Sequence, residues 1–176
     1  LRNIAELDQL VDEILLASRL DAREADVGTV ELVDLIGLAA EECARVDAEL
    51  DVTAVPEGLE VRGVAKLLRR ALRNLLENAR RYSQGDITVV LQRHDGQAQL
   101  SVLDRGPGVP PALRERIFEP FYRLPGASER AGGVGLGLAL VRSIAQRHNG
   151  SVRCEDQPDG SGGACFVLRL PLALTK

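Results

Sequence analysis

Between Leu1 and Leu20 the apolar residues fall every three to four positions, at Leu1, Ile4, Leu7, Val11, Ile14, Leu15 and Leu20, with Asp, Glu, Arg and Gln between them. That spacing predicts a helix with an apolar stripe about as wide as a coiled-coil seam, and it equally fits the first helix of a globular fold. The polar stretch from Ser18 to Asp26 reads as a linker. A helix set apart from the core in this way needs another partner for its stripe, and a second helix from the same or another chain is the simplest one. Because the chain opens at Leu1 in mid-pattern and without Met, it is expected to be a piece of a longer protein.

Past the linker the periods mix. Thr29–Leu32 reads as a short strand, and Val33–Leu50 carries Leu35, Leu38, Ala39 and Val46 at helical spacing. Asp51–Val55 predicts a strand closed by Pro56, and Leu59–Val61 another before a long helix over Val64–Tyr82. Leu67, Leu68, Ala71, Leu72, Leu75, Leu76 and Ala79 are the apolar face of that helix. Ile87–Leu91 and Gln99–Leu103 are strands joined around Asp95-Gly96, a tight-turn pair. Pro110–Ile117 reads as a short helix opened by proline, and Leu136–His148 as a helix stopped by Asn149-Gly150. Ser151–Glu155 and Ala164–Leu170 complete a last hairpin around a Gly-rich turn. Helices and hairpins alternate without a βαβ rhythm, which predicts an α+β fold with helices layered on a mixed sheet rather than a doubly wound one. The division is residues 1–25, helix and linker, and residues 26–176, a globular domain with neither internal repeat nor low-complexity tract.

Composition narrows this only a little. At 176 residues and 45% hydrophobic the chain can bury one good core. A net charge of −4 is not what a nucleic-acid-coating protein needs, because phosphate neutralisation requires clustered Lys and Arg. Cys43, Cys154 and Cys165 are odd in number and lack metal-ligand spacing, so reduced, partly buried thiols and a cytosolic compartment are expected. No apolar run approaches the roughly 20 residues that span a bilayer.

Four segments carry candidate chemistry: Asn74-Leu-Leu-Glu-Asn78, Asp104-Arg-Gly-Pro-Gly108, Phe118-Glu-Pro-Phe-Tyr-Arg123 and Gly132-Gly-Val-Gly-Leu-Gly-Leu138. Asn74 and Asn78 lie one helical turn apart on one side of the long helix. Asn is a mediocre helix former that prefers caps. The pair therefore reads either as ligands for a hydrated cation or phosphate, or as two solvated side chains. A neutral carbonyl oxygen suits Mg²⁺, which keeps most of its waters. Asp104 at a strand end can accept a hydrogen bond from an exocyclic amine, with glycines that let backbone approach a ligand; the plainer alternative is a tight turn with an ordinary Asp. Four glycines over Gly132–Gly137 directly before a helix make an anion site from unpaired amides and the helix dipole. They match neither the P-loop nor the dinucleotide fingerprint. The polar stretch between Arg123 and Gly132 is able to close over a ligand.

In order and spacing these segments resemble the asparagine box, first glycine box, phenylalanine box and second glycine box of the sensor histidine kinase ATP-binding domain, within the superfamily that includes gyrase, Hsp90 and MutL. The match runs from about Thr29 to Pro171. The resemblance implies a Bergerat-type fold, a two-layer α/β sandwich with a mixed, mostly antiparallel sheet on about three helices, preceded by a helical stub. It implies ATP and Mg²⁺ as ligands. Asn78 would hold the metal against the phosphates, supported by Asn74. Arg81 and Tyr82 would lie along the nucleotide, and Asp104 would read the adenine amine in a pocket shaped by Gly106 and Gly108. Phe118, Phe121 and Arg123 would stand at the base of a lid, and Gly133, Gly135, Leu136, Gly137 and Leu138 would take the phosphates. Gly160-Ser-Gly-Gly163 resembles the last glycine box, with Ala164 where a Ser or Thr is often found, which puts a hydroxyl contact near the base in doubt.

Hydrolytic members carry a Glu one turn before the metal-binding Asn to activate water. Here that position is Asn74, as in histidine kinases, and Glu77 points to another side of the helix. The resemblance extends to residues 1–21, which look like the second helix of a kinase dimerisation bundle. It implies a kinase whose phosphoacceptor His lies on a first bundle helix absent from this sequence. By the same resemblance a response-regulator Asp would be the relay partner, and the whole protein would be a membrane-anchored bacterial homodimer with this portion in the cytoplasm. His94 and His148 read as structural or solvated. A serine kinase of the anti-sigma-factor type shares the boxes but has no use for the stripe at residues 1–21, and a gyrase- or MutL-like ATPase conflicts with Asn74.

Overall fold

The computed structural model describes residues 28–83, 85–122, 137–160 and 162–173, together with Ile14 and Leu16, both helical. Leu16 packs against the core, whereas Ile14 is exposed. The rest of the stripe, the linker, the stretch from Arg123 to Leu136, and Ser161 lie outside the described residues.

Strand β1 (Glu31–Asp34) runs straight into helix α1 (Leu35–Val46). Asp34 makes that junction, because its carboxylate accepts from the Ile36 amide at 3.0 Å, the ordinary role of an N-cap Asp. The helix ends four residues earlier than its apolar spacing suggests. Asp47 turns left-handed (φ 57°) and bonds back to Cys43, which frees Glu49–Asp51 to form β2. The strand expected over Asp51–Val55 is therefore displaced. Asp51 Oδ1 instead accepts from both the amide and hydroxyl of Thr53, an Asx-type turn that bends the chain away. Strand β3 (Glu60–Gly63) pairs antiparallel with β1 as a separate two-stranded sheet.

Helix α2 (Ala65–Tyr82) buries the whole predicted apolar face. Strands β4 (Thr88–His94) and β5 (Gln97–Leu103) meet at Asp95-Gly96, both at positive φ (50° and 77°), as the two-residue hairpin turn demands. Two 3₁₀ turns, Pro111–Leu113 and Arg116–Phe118, replace the single helix expected after Pro110. Helix α3 (Gly137–Arg147) stops at Asn149 (φ 59°), with the Gly150 amide bonded to Ala145 O at 2.8 Å. Strands β6 (Ser151–Asp156) and β7 (Ala164–Pro171) form the last hairpin. The main sheet has order β2-β4-β5-β7-β6, antiparallel except for the parallel pair β2–β4. The fold is α+β, helices on a mixed sheet, and α2 with α3 carries Asn74, Asn78, Arg81, Tyr82, Gly137 and Leu138 among the candidate residues.

Two polar links fix the helices to each other. Glu42 on α1 is buried, yet it holds Arg73 of α2 through two bonds (2.8 and 3.0 Å) and takes a third from Arg69 at 3.2 Å. Those guanidinium bonds, Arg73 first, hold its carboxyl below the usual range against the opposing effect of burial. At the other end of the layer, the Val64 amide ahead of α2 donates to His148 Nε2 at 3.1 Å, and His148 Nδ1 meets Ile144 O at 2.7 Å. A backbone amide only donates, so Nε2 is the bare nitrogen and Nδ1 carries the proton. His148 is a structural residue joining two helices, and Gly63 packs directly against its ring.

Candidate functional site

The sequence leaves open whether Asn74 and Asn78 are solvated. Asn74 is not. It is 5% exposed, and its Nδ2 donates to the carbonyl of Gly137, the first residue of α3, at 3.2 Å. One turn on, Asn78 is half-buried, as is Tyr82 at the end of the helix, while Arg81 is exposed. The same helix face therefore carries a buried asparagine tied to the start of α3 and a second, more open one. Glu77 is half-buried one residue before Asn78, on a different side of the helix.

Asp104 lies just beyond β5, one residue past the last β5–β7 pair, Leu103–Cys165. Its own amide continues the ladder to Ala164 O at 3.0 Å. Its side chain is 3% exposed, and Oδ1 accepts from the amides of Gly106 (2.9 Å) and Ala164 (3.0 Å). Two backbone donors on one oxygen fix the orientation of the carboxylate, with Oδ2 as the second acceptor. Ala164, which offers no hydroxyl, serves Asp104 through its backbone amide.

Close approach explains the glycines. A Cβ on Gly106 would fall 2.4 Å from the carbonyl of Tyr82, so only glycine lets this turn rest on the end of α2. Gly163, at φ 89°, has no room either, because a Cβ there would meet Asp104 O at 2.1 Å. Gly108 (φ 77°) abuts Gly163 in turn. The first and last glycine boxes thus interlock at the C-terminal end of α2.

Phe118 is buried edge-on against Phe166 of β7, with ring centroids 6.2 Å apart. Phe121 is the opposite case, 64% exposed with a left-handed backbone (φ 67°) unusual for a bulky residue. The Arg116 guanidinium lies 4.9 Å over the Tyr122 ring. Leu138 is half-buried against the core from the first turn of α3. Of the remaining expected site residues, Arg123, Gly133, Gly135 and Leu136 lie outside the described residues. The contacts above form two groups on one helix, Asn74 with Gly137 at its middle and Tyr82 with Asp104, Gly106 and, through Gly163, Gly108 at its end.

Two contacts went unforeseen. Gln157 is buried and donates through Nε2 to Asp104 O at 2.6 Å, and Ser83 Oγ accepts from the Arg105 amide at 3.2 Å. A polar residue beside a Pro-Asp-Gly turn gives no signal of an inward role. Ser83, directly after a helix, could have been read as its terminus.

Burial pushes the free thiols of Cys43 and Cys165 up to about 11 and that of Cys154 up to about 12, so all three stay protonated and inert. His94 is exposed beside Asp95. Among the described residues no three His, Cys, Asp or Glu side chains converge on a cation position. Mg²⁺ needs no such cluster, since it keeps several waters and takes oxygen ligands from the phosphates it accompanies. No helix among the described residues is long and apolar enough to cross a membrane.

Residues 63–174 match the family described as histidine kinase-, DNA gyrase B- and HSP90-like ATPases. The sensor-like histidine kinase SenX3 of Mycolicibacterium smegmatis is 36% identical over 180 residues, which cover 96% of this chain and 46% of that protein. Among solved structures, the mycobacterial sensor histidine kinase MprB superposes with a TM-score of 0.71 at 32% identity, covering 84% of this chain and 100% of that one. The ATP binding domain of PrrB from Mycobacterium tuberculosis gives 0.64 at 30% identity, covering 82% and 98%. The chain spans less than half the length of the curated relative SenX3.

Proposed function

This chain belongs to the histidine kinase-, DNA gyrase B- and HSP90-like ATPase family, as the ATP-binding catalytic domain of the sensor histidine kinase type, and we propose that it holds Mg·ATP for transfer of the γ-phosphate to a histidine rather than to water. The observation that carries the reading is the frame around α2, at whose end the Asp104 carboxylate is fixed by two amides and from whose middle Asn74 reaches the start of α3. Base recognition and phosphate binding then share one rigid helix.

In this reading Asp104 accepts from the adenine amine, Gly106 and Gly108 leave room for the ring, and Tyr82 and Arg81 flank the nucleotide. The amides at the start of α3, with Gly133, Gly135, Leu136, Gly137 and Leu138, take the phosphates, and Arg123 stands beside them. Bound Mg²⁺ supplies charge neutralisation of the phosphates, with Asn78 as its protein ligand. Positioning does most of the work in phosphoryl transfer. Asn74 supports transfer over hydrolysis, since an amide has no basicity with which to activate water and this one is engaged with Gly137. The acceptor histidine belongs to a dimerisation helix, the phosphate passes on to a response-regulator Asp, and the whole protein is a membrane-anchored homodimer with this domain in the cytoplasm.

The test supplies the chain with a separate dimerisation domain carrying its phosphoacceptor histidine, and with labelled ATP. The expected product is an acid-labile, base-stable phosphate on that domain, with little free phosphate released. An acid-stable phosphoserine on a partner, or robust steady-state hydrolysis by the chain alone, contradicts the reading.

A further inference from the structure

We propose that Gln157 is a positioning residue for base recognition, setting the preference for a purine with an exocyclic amine by pinning the peptide unit that follows Asp104. The proposal rests on the reading of Asp104 as the residue that meets the adenine amine. Gln157 belongs to none of the four segments, and it reaches the site from the connection between β6 and β7.

The Asp104–Arg105 peptide is held at both ends by side chains from different elements. Its carbonyl accepts from Gln157 Nε2 at 2.6 Å, and its N–H donates to Ser83 Oγ at 3.2 Å. In a trans peptide these groups point in opposite directions, so the two bonds act as pivots that fix the plane. Gln157 is itself set by the turn Gln157–Gly160, closed by the Gly160 amide on Gln157 O at 3.0 Å with Pro158 in its second position. Among the described residues no backbone amide donates to the Asp104 carbonyl. It lies so near Gly163 that a Cβ there would stand 2.1 Å away. Asp104 and Gln157 are both buried, at 3% and 6% exposed, so without the Gln157 amide the carbonyl would be buried and unsatisfied, and rotation of the plane would be the available relief. That rotation changes the backbone of Asp104 and loosens the Gly106 and Ala164 amides from Oδ1. A carboxylate read to within a fraction of an ångström loses its function when its support loosens.

The test compares wild type with Gln157→Met, which keeps the bulk and removes the donor. Binding of Mg·ATP and of the Mg complex of purine riboside triphosphate, the same nucleotide without its 6-amino group, is measured by calorimetry well below the unfolding transition. Wild type is expected to favour ATP by roughly tenfold, the scale of one good charge-assisted contact. Gln157→Met is expected to lose most of that ratio by weakening ATP while leaving the deaminated nucleotide within about twofold. Equal weakening of both ligands, as a merely structural role would give, or an unchanged ratio overturns the proposal. If Gln157→Met does not fold, Gln157→Asn, with its amide drawn back by one methylene, carries the same comparison and is expected to fall between. Asp104→Asn separates the two layers of the argument. A wild type that does not discriminate, with Asp104→Asn likewise neutral, removes the adenine reading itself. A discriminating wild type with an unaltered Gln157→Met removes only the role of Gln157.

Discussion

The side-chain amide of Asn74 donates to the carbonyl of Gly137 at 3.2 Å, bonding the middle of α2 to the first residue of α3 across 63 positions of sequence. The helix that carries Asn78 and the helix start proposed to take the phosphates are therefore one mechanical unit. Asn74→Asp keeps the shape and replaces the donor by an oxygen facing an oxygen. It is expected to cost about 1–3 kcal/mol of stability and to weaken ATP binding. Chemical denaturation and nucleotide titration on the same samples read both.

Gly163 and Gly160 both adopt positive φ, but their surroundings differ. A Cβ on Gly163 meets Asp104 O at 2.1 Å, and one on Gly160 meets nothing within 4 Å. Gly160→Ala is expected to cost about 1 kcal/mol, the backbone preference alone. Gly163→Ala is expected to cost about 3 kcal/mol or more and to abolish nucleotide binding, because it displaces the Asp104 turn. Equal unfolding midpoints for the two variants would contradict the interlocking of the glycine boxes.

His148 gives the helix layer a defined acid response. Burial, aided by the charge of Arg147 and opposed by the bond to Ile144, lowers its pKa below the ordinary 6.5. The unfolded chain then binds the proton more readily than the folded one, so this contribution is complete above pH 6.5 and declines as pH falls through the folded value. His148→Ala leaves the Val64 amide without its acceptor and is expected to cost about 1–3 kcal/mol at pH 7.5. The gap to wild type narrows on acidification, as denaturation curves across that range would record.

Glu42 acts at lower pH with the same sign. Its carboxyl is held below 4.5, chiefly by Arg73, so the stability it adds is present above that value and lost as pH falls through the folded one. Arg69 and Arg73 are about a third exposed, which screens the pairing. Glu42→Gln is therefore expected to cost about 1–3 kcal/mol at pH 7. The difference disappears once wild-type Glu42 is protonated. A difference that persists at the lowest pH would assign the effect to shape instead of charge.

Much of this was legible in the sequence, for identifiable reasons. The α2 face and the Asp95-Gly96 turn follow from periods and backbone preferences local to a few residues, and both stand as expected. The end of α1 does not, because the left-handed Asp47 cap competes with an apolar spacing that continues past it. Of the site, Asp104 and its glycines could be picked out as a motif. The partners Ala164, Gln157 and Ser83 could not, since their roles arise from a backbone amide and from side chains brought together by the sheet. Asn74 illustrates the boundary: its spacing marked it as special, but only the fold shows its amide turned to Gly137.

The central claim is that one pocket holds Mg·ATP through Asn78 and Asp104, and equilibrium binding of a non-hydrolysable ATP analogue tests it most directly. Affinity is measured with and without Mg²⁺ for wild type, Asn78→Ala and Asp104→Ala. Both variants are expected to bind at least about tenfold more weakly with Mg²⁺ present. Removing the metal should erase the difference between wild type and Asn78→Ala, while the Asp104→Ala defect persists. Wild-type affinity in either variant under Mg²⁺ would contradict the account.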